Sequence, residues 1–257
     1  MFNRESLIAL QSICIKEITR YFRIWVQTLL PPAITMTLYF VIFGQLIGQR
    51  VGQMGGVSYM EYIAPGIIMM SVITNSYSNV VSSFFSAKFQ RSIEEMLVSP
   101  VPTVYILLGY IFGGVSRGLL TGVIVTIVAS QFVSFQVNSW PVVIFVVTLT
   151  SMLFATGGLV NAIFAKKFDD ISIVPTFILT PLTYLGGVFY SIKLLPEFWQ
   201  TVSLANPILY MVNAFRYGFL GFSDINITNA LILISLFIVG LLSLAYYLLS
   251  KGIGIRT

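Results

Sequence analysis

At 257 residues, 57% hydrophobic and only 9% charged, the chain cannot be a water-soluble globular domain, which would carry about 25% charged residues. Its net charge of +5 is gathered in particular connections, the pattern that orients membrane spans rather than one that binds nucleic acid. With no histidine, a single Cys14 and no Gly-Lys pair, the sequence lacks His-based triads and metal sites, an internal disulfide and a phosphate loop, so any ATP and Mg it depends on must be bound by a separate subunit.

Residues 3–23 set Leu7, Leu10, Cys14, Ile18 and Tyr21 on one face and Ser12, Lys16, Thr19, Arg20 and Arg23 on the other. This predicts a helix lying in the membrane surface; the alternative is a soluble helix packed on a partner. Residues 24–48 are uncharged and long enough to cross a bilayer, with Pro31 and Pro32 marking the bend into the span.

The second span covers 62–86. Its polar residues Ser71, Asn75, Ser78, Ser82 and Ser86 recur at spacings of three and four, so they share one face, with Tyr77 opposite. Such a stripe either lines a wet substrate path or joins helices by close packing and hydrogen bonds.

Residues 87–102, AKFQRSIEEMLVSPVP, form a polar island between two spans. Lys88, Arg91, Glu94 and Glu95 cannot lie in hydrocarbon, while Phe89, Ile93, Met96 and Leu97 make an apolar face at helical spacing. The expectation is a short docking helix for another protein, with Phe89, Ile93 and Leu97 as anchors and Glu94 or Glu95 meeting basic groups; an ordinary charged loop is the alternative.

The third span, 103–133, carries one charge, Arg117, between the pairs Gly109/Gly113 and Gly118/Gly122, which predict close helix packing. Arg117 is either a functional intramembrane charge or a lock to a neighbouring helix. A fourth span covers 141–165. After Lys166, Lys167, Asp169 and Asp170, a fifth covers 171–191; it is broken by Pro175 and Pro181 and rich in aromatics, among them Phe177 and Tyr184.

Residues 194–221 are too apolar for an exposed loop, yet Pro196, Asn206-Pro207 and Arg216 cut them into pieces too short to span. Two half-helices that dip in and return on one side are expected, with Arg216 bound to carbonyls or to an acid such as Glu197 or Asp224. The last span covers 229–250. Six spans put both termini on one side, and that side is cytoplasmic: it holds Arg4, Lys16, Arg20, Arg23, Lys88, Arg91, Lys166, Lys167, Lys251 and Arg256, against Arg50, Lys193 and Arg216 outside.

Three stretches, RSIEEMLVSPVP from Arg91, FDDISIVPTFILTPLTYLGGVFY from Phe168 and NPILYMVNAFRYGFLG from Asn206, make the whole chain resemble the ABC-2 family of transporter permeases, its bacterial inner-membrane members above all. The resemblance implies an all-α polytopic, type V exporter-like fold spanning 1–257 as one transmembrane domain. It has an interfacial N-terminal helix, six transmembrane helices, a cytoplasmic coupling helix and two re-entrant extracytoplasmic helices.

It further implies a homodimer in membrane lipid, bound to two copies of an ABC ATPase subunit that hold the ATP and Mg, with no cofactor on this chain. Substrate would pass between the subunits beside spans two and five, near Ser71, Asn75, Ser78, Ser82, Phe177 and Tyr184. Lys88, Phe89, Arg91, Ile93, Glu94, Glu95 and Leu97 would belong to the ATPase contact, and Asn206, Pro207, Phe215 and Arg216 to an extracytoplasmic gate.

Two other functions compete. A self-sufficient secondary transporter would need intramembrane carboxylates or histidines for proton coupling, and only span three carries a charge. A lipid-acting membrane enzyme would use Glu94 and Glu95 or Asp169 and Asp170, but adjacent helical residues point about 100° apart and converge poorly on one bond.

Overall fold

The computed structural model describes residues 4–255, so Asn3 of the expected surface helix and Arg256 of the charge pattern lie outside the described residues. The chain is helical almost throughout. Helix α1 (Arg4–Arg23) leads through the single turn α2 (Trp25–Thr28) into α3 (Leu30–Tyr39), a π-helical stretch Phe40–Ile47 and α4 (Gly48–Val51). The direction changes at Ile24 and again at Leu29; Pro31 and Pro32 sit in the first turn of α3, where a missing N–H costs nothing.

A small antiparallel hairpin, β1 (Gln53–Met54) and β2 (Val57–Ser58), precedes α5 (Tyr59–Phe89). Ser58 and Glu61 start α5 with a capping box, each side chain meeting the other's backbone N–H. Then come α6 (Ser92–Val98), α7 (Thr103–Ala129) and α8 (Trp140–Phe164). The segment α9 (Asp170–Val174), a π-helical stretch Pro175–Leu179 and α10 (Thr180–Leu185) follows, then α11 (Glu197–Leu204), α12 (Pro207–Leu220) and α13 (Ile227–Lys251).

Among the described residues four helices are long and apolar enough to cross a membrane: Trp25–Val51, Thr103–Ala129, Trp140–Phe164 and Ile227–Lys251. The 31-residue α5 has the length, but its serines and asparagines lower its hydropathy. It is nevertheless the most enclosed of the long helices, wrapped by α7, α8, α12 and the α3 segment.

Small residues let these helices close on one another. A Cβ on Gly158 of α8 would lie 2.5 Å from the Tyr77 carbonyl of α5, so only glycine fits that crossing. The two glycine pairs of α7 serve different neighbours: Gly109 and Gly113 receive Ile13 and Glu17 of α1, whereas Gly118 and Gly122 receive Ser76 and Val72 of α5.

Two expected elements differ. The fifth span does not run to residue 191: its helix stops at Leu185, Gly187 takes φ +69°, and Val188 folds back into the core against Gly66. The apolar helix Asp170–Leu185 is therefore shorter than the ~20 residues of an ordinary span. The expected docking helix is also not one helix. Lys88 and Phe89 form the last turn of α5, and Arg91, left-handed at φ +61°, reverses the chain before α6.

Candidate functional site

At the α6 end, the island presents less apolar surface than its pattern suggested. Ile93 is 0% exposed and packs into the protein's own core, so it cannot anchor a partner. Leu97 is half-buried, whereas Phe89 (63% exposed) and Val98 (84% exposed) stand free. Sequence reasoning passed over Val98 because it lies outside the Phe89, Ile93, Leu97 stripe.

The two carboxylates separate as adjacent helical residues must. Glu95 is exposed, while Glu94 is half-buried and lines a cleft with Lys88 and Arg91. Among the described residues neither has an ion-pair partner within 4.0 Å. Lys88 instead donates to the carbonyls of Ile163 (2.5 Å) and Ala165 (2.7 Å), closing the C-terminal end of α8. Beside it, the Asp170 carboxylate accepts the backbone N–H groups of Lys166 (2.8 Å) and Lys167 (3.1 Å), which hold its carboxyl below the usual carboxylate range.

The polar stripe of α5 divides. Ser71 and Asn75 are buried: Asn75 Oδ1 accepts from Arg117 Nη2 at 3.0 Å, and the same nitrogen donates to the Thr28 carbonyl at 3.1 Å. Arg117 thus ties α7 to α5 and α2, the geometry of a structural lock. The accessible positions of α5 are instead Met70, Thr74, Ser78, Ser82, Ser86 and Phe89, the first three beside Pro175–Leu179 and α10 and Ser82 beside Arg20 of α1.

Thr74, Tyr77 and Ser78 there face Thr176, Thr180 and Thr183 across a cavity of about 120 Å³. The extended hydroxyl lining was invisible in sequence because it joins two helices. Phe177, 73% exposed, does not line this cavity. Tyr184 does not line the cavity either; it hydrogen-bonds Tyr39 at 3.2 Å within an aromatic group that includes Phe43 and Phe189.

At the hairpin end, Asn206 caps α12, its Oδ1 accepting from Ile208 N at 3.0 Å, and separates it from α11; Pro207 follows at the first helical position. Arg216 is 1% exposed. Its Nη2 donates to the Gly187 carbonyl (2.6 Å), its Nε to the Tyr62 carbonyl (3.3 Å) and its Nη1 to Asn213 Oδ1 (3.4 Å), and the guanidinium lies 4.0 Å from the centre of the Tyr62 ring. Asp224 is reached only indirectly: it accepts from Tyr62 and Ser191 and lies 3.8 Å from Lys193. Phe215 is buried against Phe219.

One buried charge had no counterpart in the sequence reading. Glu17 of α1 is fully enclosed, accepts from Ser83 at 2.6 Å and lies 3.5 Å from Arg20, which donates in turn to the Asn79 carbonyl (2.9 Å) and Oδ1 (2.7 Å). The signal was its spacing of four from both Ile13 and Tyr21, the other buried residues of that face. Helix α1 therefore has an exposed side with Leu7, Ile8, Ile15, Phe22 and Arg23 and a side against α5 and α7 that holds Glu17, with Lys16 at its edge reaching Tyr110 OH at 3.3 Å and Glu17 at 3.6 Å.

Long apolar helices packed round a buried central helix define a helical membrane protein with several spans. The ABC-2 type transporter family matches residues 8–220, and the chain belongs to that family. It is 59% identical over 250 residues to the inner membrane transport permease YadH of Escherichia coli K12, covering 97% of this chain and 98% of that one. It is also 28% identical over 185 residues to nodulation protein J of Rhizobium leguminosarum bv. trifolii, covering 72% of this chain and 71% of the relative.

Proposed function

We propose that this chain is the membrane subunit of an ATP-driven exporter in the bacterial inner membrane, working as a homodimer with two copies of a separate ATPase subunit. The observation that carries the reading is the continuity of α5: one unbroken helix bears the accessible stripe Thr74, Ser78, Ser82 and Ser86 and ends in the exposed Phe89, beside α6. A push on Phe89, Glu95 and Val98 by a partner is thereby transmitted along a rigid rod to the hydroxyl-lined cleft. Energy enters at one end and substrate passes at the other.

In this reading α5 and the short α9–α10 segment complete six spans with the four apolar helices, both termini are cytoplasmic, and α11 and α12 are re-entrant. The basic residues support that orientation, since α1, the last turns of α5 and α13 and the α8–α9 connection hold most of them. Arg216, with Asn206, Pro207 and Phe215 on the same helix, holds the extracytoplasmic gate closed, and the exposed Phe177 faces the second copy. ATP and Mg stay on the partner.

Purification in mild detergent from cells expressing the neighbouring genes tests the proposal. An ATPase of independent sequence, with its own phosphate loop, co-purifies; a chain that transports alone after reconstitution would refute it.

A further inference from the structure

Beside the α5–α6 turn lies a cleft of about 500 Å³, within the usual range of ligand pockets. Its charged lining is Lys88, Arg91 and Lys166 against the one carboxylate of Glu94. Lys88 cannot turn away, because two of its three N–H groups are committed to the carbonyls of Ile163 and Ala165. Among the described residues three cations therefore line the cavity against the one lining carboxylate, with Asp170 outside the lining on the backbone N–H groups of Lys166 and Lys167, an arrangement that an anion stabilises.

The remaining walls are apolar. Phe85 and Phe89 form one side, with Phe168 packed on them at 4.9 and 5.1 Å, and Phe164 and Ile255 form the other. The Ile255 wall exists because the chain turns back after α13: Gly252 and Gly254 take φ +66° and +73°, and Gly254 lies so close that a Cβ would stand 3.0 Å from the Ile163 carbonyl. The cleft is thus bounded by the last turns of α5 and α8 and by the turn after α13, with the exposed Phe164, Tyr246, Tyr247 and Ile253 around that end.

We propose that this cleft binds the phosphate headgroup of an anionic phospholipid, with Lys166 and Arg91 on the phosphate and the phenylalanines against the glycerol and first acyl carbons. Basic pockets between helices at the membrane surface attract anionic headgroups, and exposed aromatics mark the headgroup level. The outer face of α13, with Leu236, Val239 and Leu244 exposed, offers lipid a lateral route to the site. An acidic side chain of a soluble protein would satisfy the cations but leave the apolar walls without a purpose. The bound headgroup would touch both Arg91 and Glu94, so lipid composition acts directly on the turn between α5 and α6.

The test is native mass spectrometry of the purified full chain titrated with dioleoyl phosphatidylglycerol or dioleoyl phosphatidylcholine. Phosphatidylglycerol should be retained about tenfold more tightly, a difference of ~1.4 kcal/mol. Lys166→Gln and Arg91→Gln should each lose most of that preference, Lys166→Arg should keep it, and Lys193→Gln at the opposite end should not alter it. Lys166 is exposed and its side chain has no hydrogen-bond partner among the described residues, so its neutralisation leaves the fold intact. Equal retention of the two lipids overturns the proposal. So does unchanged phosphatidylglycerol retention in Lys166→Gln, above all if that variant loses a co-purifying ATPase, which would make the cleft a protein contact. Because retention is read on the chain alone, its outcome is separable from the exporter reading.

Discussion

Arg216→Ala removes a guanidinium that joins three elements: the α10–α11 connection at Gly187, α5 at Tyr62 and its own helix at Asn213. The 2.6 Å bond to Gly187 is a short charge-assisted bond, worth ~1.5 to 3 kcal/mol, and its loss orphans a buried carbonyl. The bonds of 3.3 and 3.4 Å are long and add about 1 kcal/mol together, and stacking over the Tyr62 ring adds roughly 0.5 to 2 kcal/mol. Relief of the buried charge offsets part of this, leaving a net loss of ~3 kcal/mol, at the lower edge of the range for breaking a buried charged contact. For a chain of this size that lowers the melting temperature by roughly 6 to 12 °C. Thermal unfolding in detergent should show the drop for Arg216→Ala, a smaller one for Arg216→Lys, and none for Arg50→Ala, whose side chain is exposed on α4. Co-melting of Arg216→Ala with Arg50→Ala would refute the reasoning.

Two further predictions follow from the burial pattern. In a Cys14→Ser background, Thr74→Cys and Ser78→Cys should react with a small water-soluble thiol reagent, whereas Ser71→Cys and Ser76→Cys, buried outside the cleft, should not; uniform labelling would remove the cleft from the account. Glu17→Gln keeps the shape of the buried side chain but strips Arg20 of its counter-charge, at a cost of ~1 to 3 kcal/mol. Hydrogen exchange should then quicken across α1 while α12 keeps its protection, and unchanged exchange in α1 would show that the Glu17–Arg20 pair does not fasten it.

Most helix positions could be read from the chain, because uninterrupted apolar runs and their Pro and Gly punctuation report local chemistry. The break at Asn206-Pro207 could be read for the same reason: it is a cap followed by a first-turn proline, and it separates α11 from α12. What could not be read were facts about neighbours. Ile93 carries the same apolarity as Phe89, and only the left-handed Arg91 decides that the first points inward while the second stays exposed. Ser71, Asn75, Ser78 and Ser82 share one helical face, yet Ser71 and Asn75 are buried, Asn75 on Arg117 of α7, while Ser78 lines the cleft and Ser82 meets Arg20 of α1. Glu17 gave a charge where the periodicity of α1 called for an apolar residue, and its partners, Ser83 and Arg20, were brought together by packing.

The account's central claim is that a separate ATPase drives this chain through the exposed side of the α5–α6 turn, and charge reversal there tests it most directly. Glu95 is exposed and Glu94 turns into the cleft, so Glu95→Lys places a repulsive charge in the partner contact, a change that can cost several kcal/mol at an interface. Co-purification and ATP turnover should be measured for the wild type, Glu95→Lys and Glu94→Lys, with membrane insertion checked in each. The account predicts that Glu95→Lys inserts normally but loses the ATPase or its stimulated turnover, while Glu94→Lys retains the complex. Wild-type co-purification and turnover in Glu95→Lys would contradict it and move the contact to residues 166–170 or to α1.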